Sequence, residues 1–281
     1  LWLSLIVEHN FDEIEPLPNL DYRIMCGNSL LEEFEGVKFY NGEEIARQAT
    51  LLLDTEKQEK VVKLKKKVKE YFNIYDDREK EIKRKEINDI KDWLIRAPLE
   101  KQKEEISKRM EEEKNKTNML DKKSREKYLA DWHKNFLGSG TKIKEVLDNL
   151  HNPKAAKPFF IWKLEFIDVF EDKDKGGFDV VIANPPYVSI KEISSENKNI
   201  FSDVFDTGQG RFNLFTLFLE KADQILRPQG IRTFILPEGL YSHIEYRYIR
   251  KHILENSSIL FIVLFSSRVF DAAVDTSIIS T

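Results

Sequence analysis

Two periodicities divide the chain. Val61, Leu64, Val68, Tyr71 and Tyr75 recur at spacings of three and four, the rhythm of one helix face. After a break at Asp76-Asp77, Ile87, Ile90 and Leu94 resume it, and Tyr128, Trp132 and Phe136 give a shorter third stretch. The spacing predicts two long antiparallel helices plus a third, their narrow apolar stripes covering one another in the manner of a coiled coil. From Gly176 onward the rhythm changes. Residues 178–183 form a nearly continuous apolar run, the pattern of a strand buried on both faces. Residues 212–226 read as an amphipathic helix stopped by Arg227-Pro228-Gln229-Gly230. A strand over 231–236, a helix over 241–254 and strands over 259–265 and 276–281 follow. Upstream, residues 22–26 read as another strand ending in Gly27-Asn28-Ser29, and residues 1–8 as part of a buried helix. Strands alternating with helices predict an α/β fold, a doubly wound sheet with its ligand site at the strand carboxyl ends. Asn28 and Asn184 both fall at such ends.

Charge sharpens the division. Between Glu56 and Ala130 stand 24 basic and 18 acidic residues, a net of +6, while the whole chain carries −4 and its remainder therefore −10. Residues 43–150 are thus expected to be a charged helical insertion between two parts of one core, 1–42 and 151–281. Such an insertion could lie along DNA phosphates or space two domains apart. It could equally be a solvated hairpin whose Lys and Glu side chains face water, and the interspersed signs favour that reading. Gly138-Ser139-Gly140 follows a helical stretch, not a strand, so it reads as a linker and not as a nucleotide loop.

A single cysteine, Cys26, excludes an internal disulfide framework and a multi-cysteine metal site. The five histidines show no HxxxH or HExxH spacing, so no metal is expected; the composition suits a reducing cytosol. The longest apolar run, residues 259–265, is far short of the ~20 residues of a membrane-spanning helix. The chain starts without Met or a signal peptide and stops inside an expected strand, which reads as a piece of a longer protein.

The most specific feature is Asn184-Pro185-Pro186-Tyr187, directly after the apolar strand. Two prolines fix φ and remove two backbone donors, leaving a rigid loop that presents bare carbonyls beside an Asn side-chain oxygen. Tyr187 adds a flat face with a polar tip. Such a loop suits an exocyclic amino group: its two hydrogens are accepted while a ring stacks on the heterocycle. Adenine, cytosine or a glutamine amide would fit. Accepting both hydrogens frees the nitrogen lone pair, and no strongly shifted pKa is needed if the electrophile is already charged.

Residues 178–187 resemble the catalytic motif of the S-adenosylmethionine-dependent amino-methyltransferases, above all the DNA adenine-N6 enzymes. Three further segments are similar in the family's order: residues 21–30 (DYRIMCGNSL), 213–218 (NLFTLF) and 269–278 (VFDAAVDTSI). Lys157-Pro158-Phe159-Phe160-Ile161-Trp162 and the charged insertion resemble the methyltransferase region of type IIG restriction–modification proteins. The resemblance covers residues 1–42 and about 150–281. It implies a partial Rossmann-like methyltransferase fold acting on double-stranded DNA in the cytoplasm. It further implies that Asn184 and the Pro185 carbonyl, with Pro186 stiffening the loop, hold the amine of a flipped adenine. Tyr187 would stack on that base and Phe270 would support it. Asn28, where many relatives have Asp, would bind the cofactor's adenine, with Phe215 a wall of that pocket. Residues 189–211 could close over the base and bring Lys191, Lys198 and Arg211 to phosphates.

The family's glycine-rich cofactor loop and its ribose-binding acid are absent, so this stretch alone is expected to bind the cofactor weakly. No nuclease signature is evident. Methylation of RNA or of a protein glutamine, which shares the tetrapeptide, and a non-catalytic DNA-binding or scaffold subunit are the competing readings.

Overall fold

The computed structural model describes residues 21–34, 37–38, 51–116, 159–170, 176–265 and 275–281. A small ribbon, β1 (Glu33–Phe34) and β2 (Val37–Lys38), precedes two long helices, α1 (Leu51–Tyr71) and α2 (Asp77–Lys116). Short helices α3 (Trp162–Glu165) and α4 (Ile167–Phe170) lead to β3 (Phe178–Ala183). Helices α5 (Ser195–Val204) and α6 (Leu214–Ile225) separate β3 from β4 (Leu226–Pro237). Then come α7 (Gly239–Ser242), α8 (Arg247–Asn256), β5 (Phe261–Leu264) and β6 (Thr276–Ser280).

The two long helices form the expected hairpin. Leu64, Val68 and Tyr71 on α1 are buried against Ile87, Ile90, Leu94 and Leu99 on α2. Asp76 starts α2 by accepting the Glu79 N–H at 2.9 Å, a cap for an otherwise orphan donor. Tyr75, expected in the seam, is 86% exposed because α1 stops at Tyr71. The seam is closed by Phe159, Ile161, Leu164 and Ile167. Residues 128, 132 and 136, the expected third stretch, lie outside the described residues. Lys67–Glu86 at 2.5 Å and Lys83–Glu70 at 2.9 Å cross the hairpin. Both pairs are partly buried, and they use up two cations that an arm on DNA would present.

Residues 22–26 are a turn, not the expected strand. Tyr22 sits at φ 60°, its ring edge-on to Tyr71 at 5.1 Å and under the Lys91 ammonium at 4.8 Å. The Tyr71 hydroxyl donates to Asp21. The hairpin core claims the side chain that a sheet neighbour would have needed. Asn28 therefore follows a turn and not a strand end.

The α/β expectation holds downstream. The sheet runs β3-β4-β6-β5, with β3 and β4 parallel and β6 reversed between β4 and β5. Ala183, Phe234, Ile279 and Ile262 lie opposite one another in turn, a row on one face. Phe215, Leu219 and Ala222 of α6 and Ile249 and Ile253 of α8 pack on that face. On the other face Val180 and Ile182 are exposed, although the apolar run predicts burial on both sides. Strand β4 begins five residues earlier than expected, since Leu226 pairs with Phe178 across a register shift and Gln229 turns at φ 64°. The helix expected over 241–254 is broken by a 3-10 turn at Ile244–Tyr246. That break turns out to matter for the site.

At the amino end of the strands, Arg232 is almost fully buried. Its guanidinium donates to Asp223, to the Leu219 carbonyl at 3.0 Å, to Ser257 Oγ at 2.9 Å and to Thr281 Oγ1 at 2.6 Å. His252 Nε2 lies 2.8 Å from the same Asp223 carboxylate. One cation thus ties α6, the end of α8 and the residue after β6 together.

Candidate active site

Strand β3 ends at Ala183 and delivers Asn184 to the carboxyl edge of the sheet. Asn184 and Pro186 are exposed, Pro185 is buried and Tyr187 is partly buried. A buried proline between two exposed residues fixes the loop from below, as two locked φ angles require little else to hold it.

Tyr187 is held at both ends. Its hydroxyl donates to the Ile235 carbonyl of β4 at 2.9 Å. Its ring meets Phe215 edge-to-face at 6.1 Å and 84°. Burial pushes the phenol above its ordinary pKa, so it stays a neutral donor. The chain beyond then runs back along the start of α6: the Leu214 N–H donates to the Val188 carbonyl at 2.9 Å and the Ile190 N–H to the Phe212 carbonyl at 3.1 Å. Ser189 and Asn213 form a bridge between these bonds. Asn213 caps α6, its side-chain oxygen accepting the Phe215 N–H at 3.4 Å.

Asn28 is exposed, in a turn that it partly makes itself. Its side-chain oxygen accepts the Leu30 N–H at 3.3 Å and its carbonyl the Leu31 N–H at 3.1 Å. Leu30 and Leu31 are buried with Phe201, Phe205, Phe212 and Leu217. Gly27 is needed here, because a Cβ would stand 2.9 Å from Phe160 Cδ2 and 3.0 Å from the Phe159 carbonyl. Helix α6 therefore carries both halves of the candidate site, with Tyr187 on the Phe215 cluster and the Asn28 turn on the Leu217 cluster.

Phe215 is fully buried and backs Tyr187, so its ring presents no open surface. The ring of α6 that keeps exposed surface is Phe218, three residues on, which packs against both clusters. Helical periodicity places both rings on one side, and only the packing distinguishes them. Phe270 lies outside the described residues.

Residues 189–211 are packed and not an open lid. Phe201 and Phe205 are buried, and Glu220 accepts the N–H groups of Asp206 at 3.0 Å and Thr207 at 2.9 Å. Gly208 is a packing glycine, its Cβ position lying 2.4 Å from the Phe201 carbonyl. Lys191 and Arg211 are exposed at the borders of this segment.

Two contributors escaped the sequence reading. The Ile235 carbonyl has no side-chain signal at all. Tyr246 lies in the 3-10 turn, where helical periodicity lapses. Its ring is 5.0 Å from Phe215, stacked on the other side against His243 at 5.9 Å.

The sequence profile described as Eco57I restriction-modification methylase matches residues 121–270. A Methanocaldococcus jannaschii protein described as a type II restriction enzyme and methyltransferase is 25% identical over 99% of the chain and 24% of its own length. The Escherichia coli type II restriction enzyme and methyltransferase RM.Eco57I is 27% identical over 32% of the chain and 9% of its own length. The Bacillus subtilis type II methyltransferase M.BsuBI is 32% identical over 34% of the chain and 18% of its own length. The chain thus spans a quarter or less of the length of these relatives.

Proposed function

This chain belongs to the Eco57I restriction-modification methylase family, and from that premise we propose that it carries the amino-group methylation centre of a DNA adenine-N6 methyltransferase. The acceptor in this reading is an adenine flipped out of double-stranded DNA, and the methyl donor is S-adenosylmethionine. The single observation that carries it is the rigid Asn184–Tyr187 loop at the carboxyl end of β3, with Tyr187 anchored to the Ile235 carbonyl.

In the proposed mechanism Asn184 Oδ1 and the Pro185 carbonyl accept the two hydrogens of the adenine amino group. That pairing draws the nitrogen toward a tetrahedral shape with its lone pair available. The Tyr187 ring stacks on the base, and stacking of roughly 1–3 kcal/mol per base offsets an extrusion cost of a few kcal/mol. Phe270 is assigned to the same base from another side. When bound, the cofactor supplies an electrophilic methyl group on a positively charged sulfur. The amino nitrogen gains that methyl and gives up one proton to water, so no loop side chain has to ionise. A Tyr187 phenol kept neutral by burial agrees with that role.

The residues near Asn28 suit an adenine ring of the cofactor. The Asn28 oxygen is engaged by Leu30, which leaves its amide hydrogens to donate, and Phe218 offers an apolar face beside the same cluster. We assign cofactor contact to Asn28 and Phe218, with Phe215 as the support behind Tyr187. The division into 1–42, 43–150 and 151–281 is part of the same reading. The hairpin of the insertion packs on residues 159–167, and Trp162, Phe166 and Phe170 in turn contact Phe178 at the start of β3.

Incubation of the full-length protein with methyl-labelled S-adenosylmethionine and DNA, RNA or protein tests the acceptor. Label in DNA, lost with Tyr187→Ala, is expected. Label in RNA or in a protein glutamine keeps the chemistry and overturns the substrate. No label in any acceptor, with the cofactor bound, overturns the enzymatic reading in favour of a scaffold.

A further inference from the structure

Tyr187 ties the Asn184–Tyr187 loop to β4 and to α6, so the elements around that ring set its position. Two of its supports meet at Phe215. The first runs through rings: Tyr187 rests edge-to-face on Phe215 at 6.1 Å, and Phe215 on Tyr246 at 5.0 Å and 63°. The second runs through hydrogen bonds. Asn213 caps α6, its side-chain oxygen accepting the Phe215 N–H at 3.4 Å. Asn213 also bridges Ser189, two residues beyond Tyr187, with main-chain bonds on either side at 2.9 and 3.1 Å.

We propose that Tyr246 is a positioning residue for methyl transfer, setting the Tyr187 ring through Phe215. The proposal rests on the function given above and adds to it a residue that touches neither substrate nor cofactor. The sequence around Tyr246 gives it a reason to be there. Helix α8 would otherwise begin at Tyr241, but the chain turns tightly at Ile244–Tyr246 and brings this ring back over α6. The His243 ring stacks on Tyr246 at 5.9 Å, so the ring is held by a second contact besides Phe215. Fixing a stacking ring matters because a misplacement of about 1 Å at a reacting centre costs on the order of 100-fold in rate.

Two variants separate the ring from the hydroxyl. Tyr246→Phe keeps the contact with Phe215, whereas Tyr246→Leu loses it. In the full-length protein, kcat for methyl transfer to DNA is expected to stay within about twofold of wild type in the first, because the ring contact is kept. In the second it is expected to fall by about 3- to 10-fold, the span of one aromatic pair. KM for DNA and for S-adenosylmethionine stays within about twofold in both, because neither ligand touches Tyr246. Duplex DNA with 2-aminopurine at the target position adds a spectroscopic signature: the fluorescence rise on binding is smaller or broader in Tyr246→Leu. Burst amplitudes count the active molecules. Unchanged kcat per active site in Tyr246→Leu overturns the proposal, and so does a loss accounted for by fewer active molecules. If Tyr246→Leu does not fold, Tyr246→Phe decides, and a kcat per active site there more than about tenfold below wild type, with the ring contact kept, overturns the proposal. A wild-type protein that transfers no methyl group to any acceptor overturns the functional reading beneath it and is plainly a different result.

Discussion

The phenol of Tyr187 donates to the main-chain carbonyl of Ile235 across 2.9 Å, linking the loop after β3 to the neighbouring parallel strand β4. A ring meant to receive a flipped base is therefore set by the sheet itself. Removing the hydroxyl leaves the ring and strands a carbonyl. Tyr187→Phe is expected to lose about 1 kcal/mol of stability while keeping transfer within about tenfold of wild type. Tyr187→Ala removes the stacking face and is expected to lose about 10- to 100-fold in kcat/KM. Urea denaturation and steady-state methylation assays on the two variants check this ordering, and equal losses in both contradict it.

Arg232 donates to four partners on three elements from an almost completely buried position. Arg232→Met would leave Asp223 partly buried beside His252 with its main partner gone. Breaking a buried pair by removing one member costs about 3–5 kcal/mol, and a fall of that size in unfolding free energy is expected. Asp223→Asn, which keeps hydrogen-bonding capacity toward Arg232, should cost less. The reverse order of the two variants in urea would count against Arg232 as the tie.

The hydrogen bond to Asp223 raises the His252 pKa above the ordinary imidazole value, with Glu220 adding to the effect while burial and Arg232 oppose it. A raised folded value means that protonation stabilises the fold. The contribution is fully present below the unfolded pKa of ~6.5 and disappears as pH rises through the higher folded value. The stability difference between wild type and His252→Gln is therefore expected to be largest in mild acid and to shrink toward alkaline pH. A difference that grows with pH would reverse the assignment.

Gly27 lies where any Cβ would crowd the Phe160 ring and the Phe159 carbonyl. Gly27→Ala is expected to cost about 1–3 kcal/mol through overpacking and to weaken cofactor binding by shifting the Asn28 turn. Isothermal titration with S-adenosylmethionine, alongside thermal unfolding, separates the two effects. An unchanged affinity in a destabilised variant would detach the Asn28 turn from the cofactor.

The hairpin seam, the apolar strand and the Asn-Pro-Pro-Tyr loop were legible because each is encoded locally. Leu64, Val68, Ile87 and Leu94 carry a helical period, and two prolines dictate a rigid turn wherever they stand. Residues 22–26 misled because a short alternating stretch looks like a strand until a tertiary partner claims it; here Tyr71 and Lys91 do so. Phe215 and Phe218 share one helical side, so periodicity could not say which ring is buried and which keeps a surface. Tyr246 was invisible for another reason. Its role depends on a 3-10 turn that interrupts the period and on contacts with α6, more than twenty residues earlier in the chain.

The central claim is that this loop directs a methyl group to the amino nitrogen of adenine in DNA. The most direct test digests DNA methylated by the full-length protein to nucleosides and identifies the product by mass spectrometry, with Asn184→Ala as the control. The account predicts N6-methyldeoxyadenosine with the wild type and its loss in Asn184→Ala, while cofactor binding persists. A methylated cytosine, or undiminished N6-methyldeoxyadenosine from Asn184→Ala, would contradict it.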